Sequence, residues 1–465
     1  MNILLINVCL RPTSPEKLFP VGLGYIATAM HNAGFAFDLI DIDAHRLSDE
    51  EVERRVRSKK YDVACMGCIV TGYKFVKQLA QMIRSIHKDC TIIAGNSVAT
   101  SIVDTLLQKT EVDVAVLGEG DVTIVELLSA LEKGAALNDV AGICFKSTQG
   151  FIRTSPRPFI KDISSLPLLN HDLFDIAVYV EHSKNSAGDP IPVPREDFRA
   201  MPCNTARGCI GKCTFCYHNF LGLPYRYRSS QSIVHEIQEL IAKYRLNFIF
   251  FWDELTFFSK SQVLEFAELV LNTGLEFGWS ANCRGNLFDS ESDLAIIEKM
   301  KQAGCASLGY SLESSDPHIL QAMNKHVSVE EFARQTELLH KGGITTYTSL
   351  VFGFPEETPE TIRKTIDCCI ANQIYPSAGF LLPQPGSEMY RYAIDHGFIV
   401  DEEDYLLAMG DRQDLRLNMT AMSDEEFEQH VVDGLARCNE ALNLGLPKER
   451  LVKSLHYRAK KDSQE

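Results

Sequence analysis

Residues 206–220 read ARGCIGKCTFCYHNF and hold three cysteines, Cys209, Cys213 and Cys216, inside eight positions. An odd set of thiols suits few structures. One disulfide would strand a thiol, and a four-thiolate zinc site would lack a ligand. Thiolates are soft donors, suited to iron–sulfur clusters and to zinc. Three on one short loop can hold three irons of a [4Fe–4S] cube and leave the remaining iron open. With His218, or with Cys203 upstream, the same three could instead close around zinc.

Outward from this loop, the 465-residue chain is long enough for two or three domains of roughly 150 residues, each with its own core. Lys and Arg number 46 against 62 Asp and Glu, a net charge of −16. That balance argues against a nucleic-acid surface. No run approaches about 18 apolar residues, so no membrane-spanning helix is expected. The first residues, MNILLINVCL, carry neither a basic region nor a cleavage site, so they read as a strand and the expected location is cytoplasmic. The 14 cysteines then sit in a reducing compartment as thiols or metal ligands. Cys90, Cys144, Cys305 and Cys438 stand in apolar surroundings and read as small buried hydrophobes.

The fold class expected is α/β. Over residues 1–145, NILLINV, AFDLIDID, YDVACMGCIV, CTIIAGN and VDVAVLGEG read as short buried strands. GLGYIATAMHNAG, KFVKQLAQMIRSIHK and VTIVELLSALEKG between them have helical spacing, the first capped at Gly34. Repeated βα units predict a doubly wound, Rossmann-like domain with ligands beyond the carboxyl ends of its strands. Small and polar residues collect there: Pro20, Val21 and Gly22; Val70, Thr71 and Gly72; Gly95, Asn96 and Ser97; Gly118, Glu119 and Gly120.

Residues 146–198 are interrupted by Pro156, Pro158, Pro167, Pro190, Pro192 and Pro194 and read as a connecting segment. Residues 199–400 alternate again. NFIFFWDE, EFGWSAN, SLGYSLES, TTYTSLVFGF and PSAGFLLPQP read as strands of a barrel or part-barrel. Residues 401–465 read as mainly helical, charged and without a motif.

RGCIGKCTFC resembles the signature of the radical S-adenosylmethionine (radical SAM) superfamily, with Phe215 as its aromatic position. PVGLGYIATAMHNAG, GEGDVTIVELL, GYSLESSDPHILQAMNKHVSVEEF, LVFGFPEETPETI and LPQPGSEMY are similar to the branch with a cobalamin-binding domain ahead of the radical SAM domain. The resemblance implies a (β/α)6 partial barrel. It implies a [4Fe–4S] cluster on the three cysteines, with SAM chelating the open iron, reductive SAM cleavage to an adenosyl radical, and an external electron donor such as flavodoxin or ferredoxin. The reaction is the cofactors'; the protein binds, orients and excludes side reactions.

Positions that match the family's pattern carry further expectations. Asp253 and Glu254 end a strand where the methionine amino end of SAM is held, Arg284 is placed to meet its carboxylate, and Ser311 and Glu313 its ribose. Phe352, Gly353, Phe354, Leu382 and Pro383 fall where adenine packs. Tyr217 and His218 follow the third cysteine and are candidates for an acid, a base or a radical relay; a structural role fits His218 too. The family's D-x-H-x-x-G motif is absent after the first strand. His45 in DAHRLS follows the second strand instead and reads as a surface residue. Relatives bind cobalamin without a histidine ligand, and here the glycine loops at 20–24, 70–73, 95–98 and 118–121 would contact it, unless they serve only as βα turns.

The expected function is methylation of an unactivated carbon of a small or medium-sized metabolite. The alternative is a cyclisation or rearrangement with no net methyl transfer. Methylthiolation of tRNA would need a second cysteine set. Cys9, Cys65, Cys68 and Cys90 do not have its spacing. A non-enzymatic protein joined by structural zinc would hold zinc and no iron. Substrate and oligomeric state are not legible.

Overall fold

The structure is a computed structural model that describes residues 1–188 and 193–452. Pro190 and Pro192, and the last part of the C-terminal segment, lie outside the described residues. The first sheet contains β1 (Ile3–Asn7), β2 (Phe37–Asp41), β3 (Val63–Gly67), β4 (Thr91–Gly95), β5 (Val114–Val116), β6 (Ile143–Ser147) and β7 (Gly150–Arg153) in the order β2-β1-β3-β4-β5-β6-β7. Strands β1 to β5 are parallel. The antiparallel β6 and β7 carry the sheet on to Arg153, past the limit near residue 145 read from the sequence.

Strand β1 shows why both faces are covered. Its ILLIN residues are all buried, and successive side chains alternate between faces. Ile3 and Leu5 join a core with Leu23, Ala27 and Leu127, from helices Val21–Asn32 and Gly120–Lys133. Leu4 and Ile6 join another with Val52, Val76 and Leu106, from helices Asp49–Arg57, Tyr73–Ile86 and Val103–Lys109. The strand order reverses between β1 and β3, the position at which such sheets bind ligands.

The second domain begins with β8 (Ala200–Cys203), absent from the sequence reading because Pro202 interrupts its pattern. Proline is tolerated on an edge strand, and β8 is an edge. Next, β9 (Ala206–Arg207) and β10 (Arg226–Tyr227) form a two-residue antiparallel ladder that closes the base of the cysteine loop. Strands β11 (Phe248–Phe251), β12 (Gly278–Asn282), β13 (Cys305–Gly309) and β14 (Thr345–Tyr347) continue from β8 in parallel. The run TTYTSLVFGF divides at Thr348 into β14 and β15 (Ser349–Phe352), and β15 pairs with β16 (Ser377–Phe380). A bridge between Glu313 and Leu350 joins the two sheets into one partial barrel. After helix Glu402–Ala408, the C-terminal segment runs without helix to Asp424–Ala441. Within the non-helical part, the Phe380 amide donates to the Arg412 carbonyl at 2.7 Å, so this stretch covers the free edge of β16.

Glu357 pins the turn after β15. Its carboxyl accepts from the Gly353 amide at 3.3 Å and the Thr361 hydroxyl at 2.5 Å. Burial pushes its pKa from 4.5 up to about 7. The folded state therefore keeps the proton to higher pH than the unfolded chain. Its contribution is full below about 4.5 and is lost as pH rises through about 7. Glu357→Gln should flatten the fall in stability between pH 5 and 7.5 by on the order of 2 kcal/mol, read by urea unfolding at both ends.

Candidate active site

The loop 208–225 is held from three directions. Thr214 donates from its amide to Met323 O and from its hydroxyl to Ala322 O, and accepts from the Met389 amide. Asn324 Nδ2 donates to Lys212 O at 2.8 Å, and Arg284, whose Nη2 donates to Lys325 O at 2.6 Å, stands beside Gly211. A Cβ on Gly211 would lie 3.5 Å from Cys209 Sγ and 3.7 Å from Cys213 Sγ, so the two thiols flank that glycine. Burial, and then the neighbouring thiols, push Cys216 up to about 12. Cys213 is raised by burial while Lys325 and Arg284 oppose it. These thiols hold their protons until a metal displaces them.

This donor set fits a cluster better than a zinc ion. Sulfurs around one zinc at 2.3 Å stand about 3.8 Å apart. Among the described residues, no three His, Cys, Asp or Glu side chains converge closely enough for one ion. Cys203 is wholly buried in β8, and burial followed by the Glu236 charge raises its thiol. His218 Nδ1 accepts from the Phe220 amide at 3.2 Å. Neither completes a closed site, so the zinc alternative is not supported. Cys90, Cys144, Cys305 and Cys438 are buried thiols, as expected.

A cavity of about 880 Å³ lies between the two domains. That is at the upper end of the ~300–1,000 Å³ common for ligand sites. Pro20, Val21, Gly22, Thr71, Gly95, Asn96, Gly118, Glu119 and Gly120 line it from the first domain, and Tyr217, His218, Glu254 and Leu382 from the second. Gly118 has φ +70 and open space where a Cβ would stand, a cradle for close backbone approach. The Tyr217 ring packs on Gly386, and burial pushes its hydroxyl up to about 12. Burial lowers the His218 pKa, against the opposing charge of Glu254. His45 is exposed and does not line this cavity, although Asp43 two residues before it does.

Several side chains are committed elsewhere. Asp253 is turned from the cavity: its carboxylate accepts from the Thr205 amide at 2.9 Å, the Thr205 hydroxyl at 2.6 Å and the Ala206 amide at 3.1 Å. Burial raises it to about 7. The exposed Glu254 faces the cavity instead. Gly72 does not line it; a Cβ there would meet Cys68 Sγ at 2.1 Å, so the glycine serves close packing. Phe352 and Gly353 are buried, and a Cβ on Gly353 would touch Phe427 at 3.3 Å. Phe215 packs edge-on against Phe354. Ser311 is half-buried near Glu313, which has φ +66 and an ion pair with Lys325 at 2.8 Å. Glu313 Oε2 is buried without a partner, an acceptor left for a ligand.

Glu119 is the largest departure from the sequence reading. Its carboxylate meets Arg207 Nη1 at 2.7 Å and Arg226 Nη1 at 2.9 Å and accepts from the Ile160 amide at 2.7 Å. Asp121 meets both Arg207 Nη atoms at 2.9 Å. The Phe220 ring lies beside both guanidiniums, 5.8 Å from Arg207 and 5.4 Å from Arg226. This buried cluster bolts the loop after β5 to the β9–β10 ladder. Asn219 Nδ2 adds a bond to Asn96 Oδ1 at 2.9 Å. Arg207 stood in plain view two residues before Cys209, but nothing in the sequence paired it with Glu119.

A doubly wound domain whose sheet ends face the mouth of a partial barrel, with three loop thiols beside the shared cavity, defines a radical SAM enzyme. Residues 203–369 match the model of the radical SAM superfamily, and residues 8–128 match that of the B12 binding domain. The chain thus carries a B12-binding domain ahead of a radical SAM domain, and these imply a [4Fe–4S] cluster, SAM and cobalamin as cofactors. It is 24% identical over 384 residues to an uncharacterized methyltransferase of Pyrococcus horikoshii, covering 82% of this chain and 80% of that one. It is 24% identical over 398 residues to the anaerobic magnesium-protoporphyrin IX monomethyl ester cyclase of Rubrivivax gelatinosus, covering 83% and 68%. The radical S-adenosylmethionine methyltransferase TsrM from Kitasatospora setae, solved with cobalamin and a [4Fe–4S] cluster bound, shares the fold with a TM-score of 0.67. The identity is 18%, over 86% of this chain and 78% of that one. No helix among the described residues is long and apolar enough to cross a membrane.

Proposed function

We infer that the enzyme methylates an unactivated carbon of a small or medium-sized metabolite. The observation that carries this reading is the single cavity lined both by the glycine loops of the B12-binding domain and by Tyr217 and His218, next to Cys216. The methyltransferase of Pyrococcus horikoshii supports it. When bound, the cluster and SAM supply a radical and cobalamin supplies a methyl carrier.

The chain's own residues then do the following. Cys209, Cys213 and Cys216 hold the cluster. Glu254 receives the SAM ammonium, and Arg284, already anchored on Lys325 O, sits beside the loop for its carboxylate. Glu313 Oε2 accepts from the ribose, and Leu382 packs the adenine. Gly22, Thr71, Gly95 and Gly118 let cobalamin approach the backbone. Because His218 Nδ1 accepts the Phe220 amide, the neutral ring carries its proton on Nε2 and can donate it into the cavity. The domain bolt fixes the loop after β5 and the β9–β10 ladder to each other in the cavity wall. An external electron donor such as flavodoxin or ferredoxin reduces the cluster.

Anaerobic reconstitution should yield about four irons and one cobalamin per chain, and label from methyl-labelled SAM should enter the product. Iron without cobalamin affinity would sink this reading. A product formed without label would favour ring formation or rearrangement, the reading that the cyclase of Rubrivivax gelatinosus supports.

A further inference from the structure

Arg412 comes from the C-terminal segment, yet it lines the interdomain cavity. Its Nη1 donates to Leu350 O at 3.2 Å, and its Nη2 to Ser377 O at 3.2 Å and Ser377 Oγ at 3.1 Å. Those partners sit on adjacent strands, so the guanidinium lies across β15 and β16. Gly379 makes the room: a Cβ there would stand 2.7 Å from Arg412 Nη1 and 2.9 Å from its Cγ. Every hydrogen-bond partner is neutral, and no carboxylate comes within ion-pair distance among the described residues. The acids whose fields reach it, Glu313 and Asp411, are each paired already, with Lys325 at 2.8 Å and Arg11 at 3.1 Å.

A half-buried guanidinium without a counter-ion is costly unless something else supplies one. Arg carries five N–H donors, and three hydrogen bonds leave donors over. The other arginines of the cavity wall are satisfied: Arg207 by Glu119 and Asp121, Arg228 by Glu236, Arg11 by Glu16 and Asp411. Arg412 is the exception among them.

We propose that Arg412 is the anion-recognition residue of the substrate site, so that the acceptor metabolite carries a carboxylate or phosphate held by this guanidinium. The assignment rests on the functional reading above and names the chemistry of its substrate. SAM and cobalamin also carry anionic groups, a carboxylate and a phosphodiester, so the test separates the three sources. The probes are benzoate and its neutral isostere benzamide, titrated calorimetrically into the reconstituted protein, together with SAM and hydroxocobalamin.

In the wild type, benzoate should bind about tenfold or more tighter than benzamide. Arg412→Gln should erase that preference and leave the affinities for SAM and hydroxocobalamin within about twofold; Arg412→Lys should retain part of it. Equal binding of benzoate and benzamide by the wild type overturns the proposal. So does a preference that survives Arg412→Gln, or a loss of SAM or hydroxocobalamin affinity in that variant, which would give the guanidinium to a cofactor. If Arg412→Gln loses its fold or its iron, the Lys variant and the wild-type comparison decide. A wild type that binds no cobalamin or transfers no methyl group would overturn the functional reading and leave the benzoate comparison standing.

Discussion

Replacing Cys209, Cys213 or Cys216 by alanine should strip the protein of iron and abolish SAM cleavage, while Cys203→Ala keeps both. The three loop thiols are half-buried, Cys209 and Cys213 flanking Gly211, and are the only soft donors on the loop. Removing one leaves two anchors for three irons. Cys203 is buried in the core with Met201, Ile233 and Phe251, so its loss opens a small cavity at about 1 kcal/mol and touches no ligand. Iron content and the ultraviolet–visible spectrum of anaerobically reconstituted variants check this. A Cys203 variant unable to hold iron would mean a closed site and would defeat the radical reading.

Glu119→Ala should cost about 3–5 kcal/mol, the range for removing one partner of a buried ion pair. Both Glu119 and Arg226 have side chains 5% exposed, so water cannot replace the lost carboxylate. Arg207 would keep Asp121, whereas Arg226 would keep only Ile160 O, with its Nε and Nη2 already unpartnered. The pair Glu119→Leu with Arg226→Met should recover much of the loss, because two apolar side chains leave no stranded charge. Chemical denaturation of the singles and the double makes the cycle. An unchanged midpoint in Glu119→Ala would show that the bolt adds nothing. Arg207 lies two residues before Cys209, so loosening the bolt should also weaken cobalamin retention through the cavity wall.

What could be read locally was read well. The continuous apolar run in ILLIN, helical spacing in the stretches between strands and the C-x3-C-x2-C spacing each depend on residues within one turn or one strand. They led directly to two α/β layers and the cluster loop. Strand β8 escaped because Pro202 breaks its pattern, and its edge position, which makes proline acceptable, is a property of the sheet. Asp253, Glu119 and Gly72 had the right residue type at the right strand end. The carboxylates of Asp253 and Glu119 are nonetheless spent on Thr205 and on two arginines, which arrive from chain segments distant in sequence, and Gly72 is spent on close packing against Cys68.

Arg412 marks the limit most sharply. It stands in a stretch with no motif, and only the folding of residues 409–416 along β16 carries its charge into the cavity. The sequence by itself determined the two α/β units and most of their elements, and it pointed to the three loop cysteines as cluster ligands. The tertiary structure alone decided which carboxylates face the ligands and which pair with arginines, since a charge takes whichever counter-charge the fold brings within about 3 Å.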